Sequence, residues 1–125
     1  MSPELDKCIA SCLKCVECCN ACIYFMSMMA DDMPDMKCGD CIRSCTECRD
    51  ICNLCALLVG GLKSSNGKYK SPVIKRVLNL CKVCCNECHV VCKGHNHDVC
   101  QACAVVCKDC KKNCISCKKI IWSWY

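Results

Sequence analysis

Residues Cys38–Cys55 read CGDCIRSCTECRDICNLC. Cysteine recurs there at steps of three, four, three, four and three, the spacing that returns a side chain to one face of an α-helix. A helix bundle normally places leucine at such positions. Here each is a thiol, and the pattern is not local. Cys8, Cys12, Cys15, Cys18, Cys19 and Cys22 form a first set, and Cys38, Cys41, Cys45, Cys48, Cys52 and Cys55 a second. Cys81, Cys84, Cys85, Cys88 and Cys92 form a third, and Cys100, Cys103, Cys107, Cys110, Cys114 and Cys117 a fourth. The chain is a weak fourfold repeat.

Helix punctuation falls between the sets. Ser2-Pro3 and Ser71-Pro72 each offer a cap followed by proline at the first helical position. Asp98 with Gln101 resembles a capping box, and Gly60-Gly61 and Gly94 read as stops. Pro34 and Asp35 mark the start of the second segment. The expected helices are 3–29, 35–59, 72–93 and 98–122. Short connections at 30–34 and 94–97 join antiparallel neighbours, and the longer GGLKSSNGKYKSP stretch is a polar loop. Charged residues such as Arg43, Glu47, Lys108 and Lys112 fall off the cysteine stripes. The fold class expected is all-α, an antiparallel four-helix bundle with a cysteine-lined core, as one domain over 1–125.

Composition narrows the chemistry. Cysteine supplies 23 of 125 residues, whereas Phe, Trp and Tyr together supply six. So high a share of cysteine usually marks a disulfide scaffold. The odd count and helical spacing argue against that here, because disulfide scaffolds are loop-rich and a regular helix aims neighbouring Cβ atoms poorly for a bridge. MSPELDKC has no apolar signal region, so the expected compartment is a reducing cytoplasm. No run of 18 apolar residues predicts a transmembrane helix. The net charge of +5 has acids interspersed among its bases and reads as a solvated surface. Neither nucleic acid nor membrane is an expected partner.

A core of small thiols alone would be under-packed, so something should fill it. Thiolates bind soft metals. Zn(II) takes four sulfurs. About five such sites would use roughly twenty thiolates and leave about ten negative charges buried, at great cost. Cu(I) brings one charge per ion, so one ion per thiolate leaves the core neutral. Iron–sulfur motifs wrap a cluster in a loop and do not run in helical register. The reading is a Cu(I) storage or buffering protein holding several ions per chain, without catalysis. A metallothionein-like Zn(II) or Cd(II) sequestration protein is the alternative. A thiol redox protein is a further one, though no pair of thiols stands apart from the rest.

The CxxxC and CxxC steps in all four segments, such as Cys8/Cys12, Cys41/Cys45, Cys88/Cys92 and Cys103/Cys107, resemble those of the bacterial copper storage proteins. The resemblance covers nearly the whole chain. It implies a cysteine-lined four-helix bundle holding many Cu(I) ions, a homotetramer, and copper chaperones or copper enzymes as recipients. Without a signal segment the chain is similar to the family's cytosolic branch. Its thiol count is high for the family, and the adjacent pairs Cys18/Cys19 and Cys84/Cys85 raise the question of which member binds metal.

Alternating helix direction assigns residues to the two ends. One end gathers Met26, Met28, Met29, Met33 and Met36 with His89, His95 and His97. Of these, Met26, Met29, Met33, Met36 and the three histidines are candidate entry ligands for Cu(I), against the plainer reading of end packing and loop surface. The other end gathers Leu5, Leu57, Leu58, Leu62, Val73, Ile74, Val77, Ile120, Ile121, Trp122 and Trp124, and reads as an apolar plug.

Overall fold

The structure, a computed structural model, describes residues 2–32 and 38–124. Four helices account for nearly all of it: α1 (Pro3–Asp32), α2 (Cys38–Ser64), α3 (Pro72–Lys93) and α4 (Asp98–Trp122). Each packs on two neighbours, in the cyclic order α1, α2, α3, α4, and across the diagonals sulfurs meet, Cys12 with Cys81 and Cys48 with Cys107, both at 4.0 Å. Sulfur contacts show the directions. Cys22, late in α1, meets Cys41, early in α2, and Cys8, early in α1, meets Cys114, late in α4. Neighbouring helices are therefore antiparallel around one central lumen.

The predicted start signals at α1 and α3 are used. Ser2 accepts from the Glu4 amide at 3.2 Å, and Ser71 from the Val73 amide at 3.1 Å, with proline next in each case. Each cap satisfies one amide that the first turn leaves unpaired. The capping box at α4 does not form. His97 occupies the cap position without a side-chain bond, and Gln101 instead donates to the Lys93 and His95 carbonyls, tying α4 to the end of α3. Gly60 and Gly61 do not stop α2. Three further residues of helix follow Gly61, and the stop is Asn66-Gly67, with φ of 52° and 81°. The Gly67 amide reaches the Leu62 carbonyl at 2.9 Å and the Asn66 amide the Lys63 carbonyl at 3.1 Å, the paired bonds of a Schellman end. Asparagine tolerates the left-handed region well enough to serve there. The predicted boundary at Pro34 and Asp35 lies outside the described residues.

Polar bonds tie the helices together on their outer faces. Arg43 of α2 donates to Glu47 at 2.7 Å and to Glu87 of α3 at 2.9 Å, and Asn113 of α4 donates to the buried Ser11 of α1 at 2.8 Å. Pro3–Ala30 is long and apolar enough, at a mean hydropathy of 1.4, to match a membrane span by length and composition alone. That apolarity owes much to cysteines that face the lumen, and Lys7, Lys14 and Glu17 lie exposed on the same helix.

The plug is real but smaller than predicted. Leu5, Leu62 and Ile121 are fully buried, and Ile74 and Val77 nearly so. Leu57, Val73 and Trp122 lie exposed on outer faces instead, while Leu58, Ile120 and Trp124 pack half-buried against the core. Val59 and Leu78, which were not predicted, complete the plug. Leu78 lies three residues before Cys81, on the lumen-facing stripe of α3. That spacing was the signal available in the sequence.

Candidate metal centre

Twenty-one of the 23 cysteines are buried in the lumen. Heptad-like spacing turns a thiol inward at every turn of each helix, so the sulfurs stack in layers. Cys15, Cys52, Cys85 and Cys110, one from each helix, form one layer. Cys19, Cys48, Cys88 and Cys107 form the next, and Cys19, Cys45, Cys88 and Cys103 the one beyond. Toward the plug come Cys12, Cys81, Cys110 and Cys114, then Cys8, Cys12, Cys55 and Cys114. Within each group all four sulfurs lie within 4.8 Å of one another. α3 gives no thiol to the last group, where Val77 and Leu78 precede its first cysteine.

Successive sulfurs touch along the tube. Cys22 lies 3.5 Å from Cys41, Cys45 3.6 Å from both Cys88 and Cys92, Cys52 3.6 Å from Cys81, and Cys12 3.7 Å from Cys110. A ZnS4 tetrahedron with Zn–S near 2.3 Å has edges of about 3.8 Å, so spacing alone admits Zn(II) as well as Cu(I). Sharing separates them. Cys12, Cys19, Cys88, Cys110 and Cys114 each belong to at least two groups. The lumen is thus a continuous ladder suited to sulfurs that bridge ions, and the shared groups cannot all act as separate four-sulfur sites.

The electrostatics point the same way. Among the described residues the only buried polar side chains besides the thiols are Ser11 and Ser44, so no buried cation balances a thiolate. Ser44 donates to the Cys41 carbonyl and Ser11 to that of Lys7. Burial pushes the Cys100 thiol up to about 11. With no buried cation to balance thiolate charge, an empty lumen keeps its thiols protonated. A monovalent cation that displaces one proton per thiol keeps it neutral, whereas divalent ions on four thiolates add net negative charge.

The spacing admitted both members of each adjacent cysteine pair, and the structure separates them. Cys19 and Cys85 are fully buried in the lumen, while Cys18 and Cys84 sit half-buried in the wall. Burial is the main cause raising both wall thiols, Cys84 to about 11.

At the predicted mouth, Met26 is fully buried, and the Cys100 thiol donates to its Sδ at 3.7 Å. Cys100 lies 3.6 Å from Cys22, so thioether and thiols are contiguous. His97 packs its ring on Phe25 with centroids 4.9 Å apart, His95 is half-buried, and Met29 packs against the core. Met28 is exposed, and Met33 and Met36 lie outside the described residues. His89 is not at the mouth ring. Its Nδ1 lies 2.8 Å from the Ala104 carbonyl, which can only accept, so the ring donates and ties α3 to α4.

The fold and lumen define a class: a helical bundle whose core is a ladder of free thiols, built to hold many soft metal ions. The profile of the copper storage protein family, Csp, matches residues 1–119, and the chain belongs to that family. Solved structures agree. A histidine-to-alanine variant of Ccsp from Streptomyces lividans is 27% identical over 95% of each chain, with a TM-score of 0.80. Ccsp from the same organism, loaded with 10 copper equivalents, is 28% identical over 91% of this chain and 83% of that one, with a TM-score of 0.77. Apo copper storage protein 3 from Bacillus subtilis is 32% identical over 89% of this chain and 95% of that one, with a TM-score of 0.66. None of the curated proteins compared matches the sequence.

Proposed function

We propose that this chain stores Cu(I), holding many ions along its lumen by thiolate bridges. The observation that carries the reading is the shared ladder, in which 21 buried thiols form overlapping groups with no buried counter-charge. Binding exchanges one proton for one ion at each sulfur, so the core stays neutral as it fills. The 21 lumen cysteines are the ligands in this reading, and Cys18 and Cys84 lie outside the ladder. The chain acts as one domain and as a store rather than a catalyst. It works in a reducing cytoplasm, where the thiols stay free. It assembles as a homotetramer and passes copper to chaperones or copper enzymes.

Ions enter and leave at the Met26 end. The contiguous sulfurs of Met26, Cys100 and Cys22 there give neutral and thiolate ligands in series, with His95 and His97 nearby. The other end is closed by aliphatic side chains, which offer an ion no ligand. The test is an anaerobic titration of reduced protein with Cu(I) and, separately, Zn(II), each followed by intact mass. The expected result is more than ten Cu(I) per chain, approaching the number of lumen thiols. Saturation at five or six Cu(I), or a Zn(II) complement that resists Cu(I), contradicts the reading.

A further inference from the structure

The overall charge of +5 conceals a sorting by hairpin. Residues 1–64 carry six Lys and Arg against nine Asp and Glu, for a net −3; residues 65–125 carry eleven against three, for a net +8. The structure concentrates the bases further, on the outer face shared by α3 and α4. A groove there is lined by Arg76, Asn79, Lys118 and Trp122, and it runs on past Lys82 and Lys119 to Lys111 and Asn86.

The three acids of this half lie off that face. Glu87 turns to Arg43 of α2, Asp109 lies beside Asn113 on the α1 side, and Asp98 begins α4 at the mouth end. Two lysines are held upright by amides: Lys111 donates to Asn86 at 2.9 Å and Lys118 to Asn79 at 3.3 Å. Lys118 also stands 4.5 Å over the Trp122 ring. Apolar side chains break up the charge, with Val83, Val90, Val105 and Trp122 all at least half exposed.

We propose that the α3–α4 face seats the protein on an anionic lipid surface. Ten of the eleven bases in this half are lysine, whose compact ammonium acts as a point charge and lacks the fork that reads phosphate or base edges bidentately. That composition suits attraction to a charged surface rather than sequence reading of a nucleic acid. Exposed valines and an indole between ammonium groups are of no use to a phosphate backbone, but they match the boundary between headgroups and acyl chains. A second copy docked by a twofold axis on this face would set the bases against one another. The surface association asks for no spanning helix and leaves the lumen and its mouth free.

The experiment is sedimentation of the full reduced chain with vesicles of phosphatidylcholine containing about one-third phosphatidylglycerol, and with phosphatidylcholine alone. Binding is expected to the anionic vesicles only, and about 0.5 M salt should release it, because screening shortens the reach of the charges. Lys111→Glu with Lys118→Glu should weaken binding at least tenfold. Lys7→Glu with Lys14→Glu, the same change of net charge on α1, should change it less than twofold. Copper capacity should be unchanged in both, which separates this proposal from the storage reading. Should the first variant fail to fold, Arg76→Glu with Lys82→Glu, on the same face, replaces it. Equal binding to neutral vesicles, no binding to anionic ones, or equal loss in the α1 variant overturns the proposal. It is equally overturned if the face variants abolish binding to a short DNA duplex, or break an oligomer in light scattering, while vesicles go unbound.

Discussion

Replacing Cys15, Cys52, Cys85 and Cys110 together by serine removes one whole layer from the middle of the ladder. Serine keeps the shape of cysteine but is not a soft thiolate ligand. At one Cu(I) per lumen thiolate, capacity should fall from about 21 to about 17 ions. The layer spacing adds a kinetic consequence. Cysteines recur every three or four residues, so at 1.5 Å per residue successive layers lie about 5 Å apart. Deleting a layer opens a gap of about 10 Å between Cys48 and Cys107 on the mouth side and Cys12 and Cys81 on the plug side. An ion passed from sulfur to sulfur cannot cross that gap without leaving its ligands. Loading should become biphasic, with the ions beyond the gap arriving slowly. The assay is anaerobic Cu(I) titration against a chromophoric chelator, in equilibrium and stopped-flow forms, with helicity checked by circular dichroism. Cys18→Ser with Cys84→Ser is the control and should leave capacity nearly unchanged, because those thiols lie in the wall. Unaltered capacity in the layer variant, or loss of all binding, would refute the reasoning.

Other outcomes follow from particular residues. Gly60 and Gly61 lie inside α2, and nothing from a neighbouring element comes within 4 Å of where an added methyl group would stand, so replacing both by alanine should stabilise the apo-protein by about 1–2 kcal/mol in a denaturant melt; destabilisation would mean the helix needs its glycines. The Cys84 and Cys100 thiols are raised by burial to about 11, above an unfolded value of roughly 8.5. Their contribution to apo stability is therefore full below about pH 8.5 and lost as pH rises toward 11, since the unfolded chain ionises first. Anaerobic melting temperatures should fall across that window, and a flat profile would contradict the assignment. Replacing Met33, Met36, His95 and His97 together should slow Cu(I) uptake and chelator removal without lowering final capacity. Unchanged stopped-flow uptake would assign those residues to end packing and loop surface.

Much of this architecture was legible because one signal carried both fold and site. The residues that set the helical period are also the ligands, so reading Cys38–Cys55 as one face of a helix already placed six sulfurs in the core. The plug at Leu5, Leu62 and Ile121 followed from antiparallel order alone. What was not legible turned on differences smaller than the period. Cys18 and Cys19 fit the stripe equally by spacing, and only the packed bundle shows Cys19 inside, among sulfurs of α2, α3 and α4. Gly60-Gly61 looked like a stop, yet a helix tolerates glycine at roughly 1 kcal/mol each when the next turn is held by Leu62 in the plug and by Lys63 paired with Asp6 of α1. Gln101 matched a capping box, but the carbonyls at the end of α3 lay within its reach and took its donor. The face of each surface lysine was likewise hidden, because net charge sums over faces that only the packed bundle distinguishes.

The central claim is a continuous column of Cu(I) bridged by shared thiolates. The most direct measurement is a crystal structure of the anaerobically loaded protein with anomalous scattering recorded at the copper edge. The account predicts more than ten copper peaks strung along the lumen, from the Cys22–Cys41–Cys100 end to the Cys8–Cys55–Cys114 end, with Cys12, Cys19, Cys88, Cys110 and Cys114 each touching more than one ion. Five or six isolated peaks, each inside its own set of four sulfurs, or peaks lying on the outer surface, would contradict it.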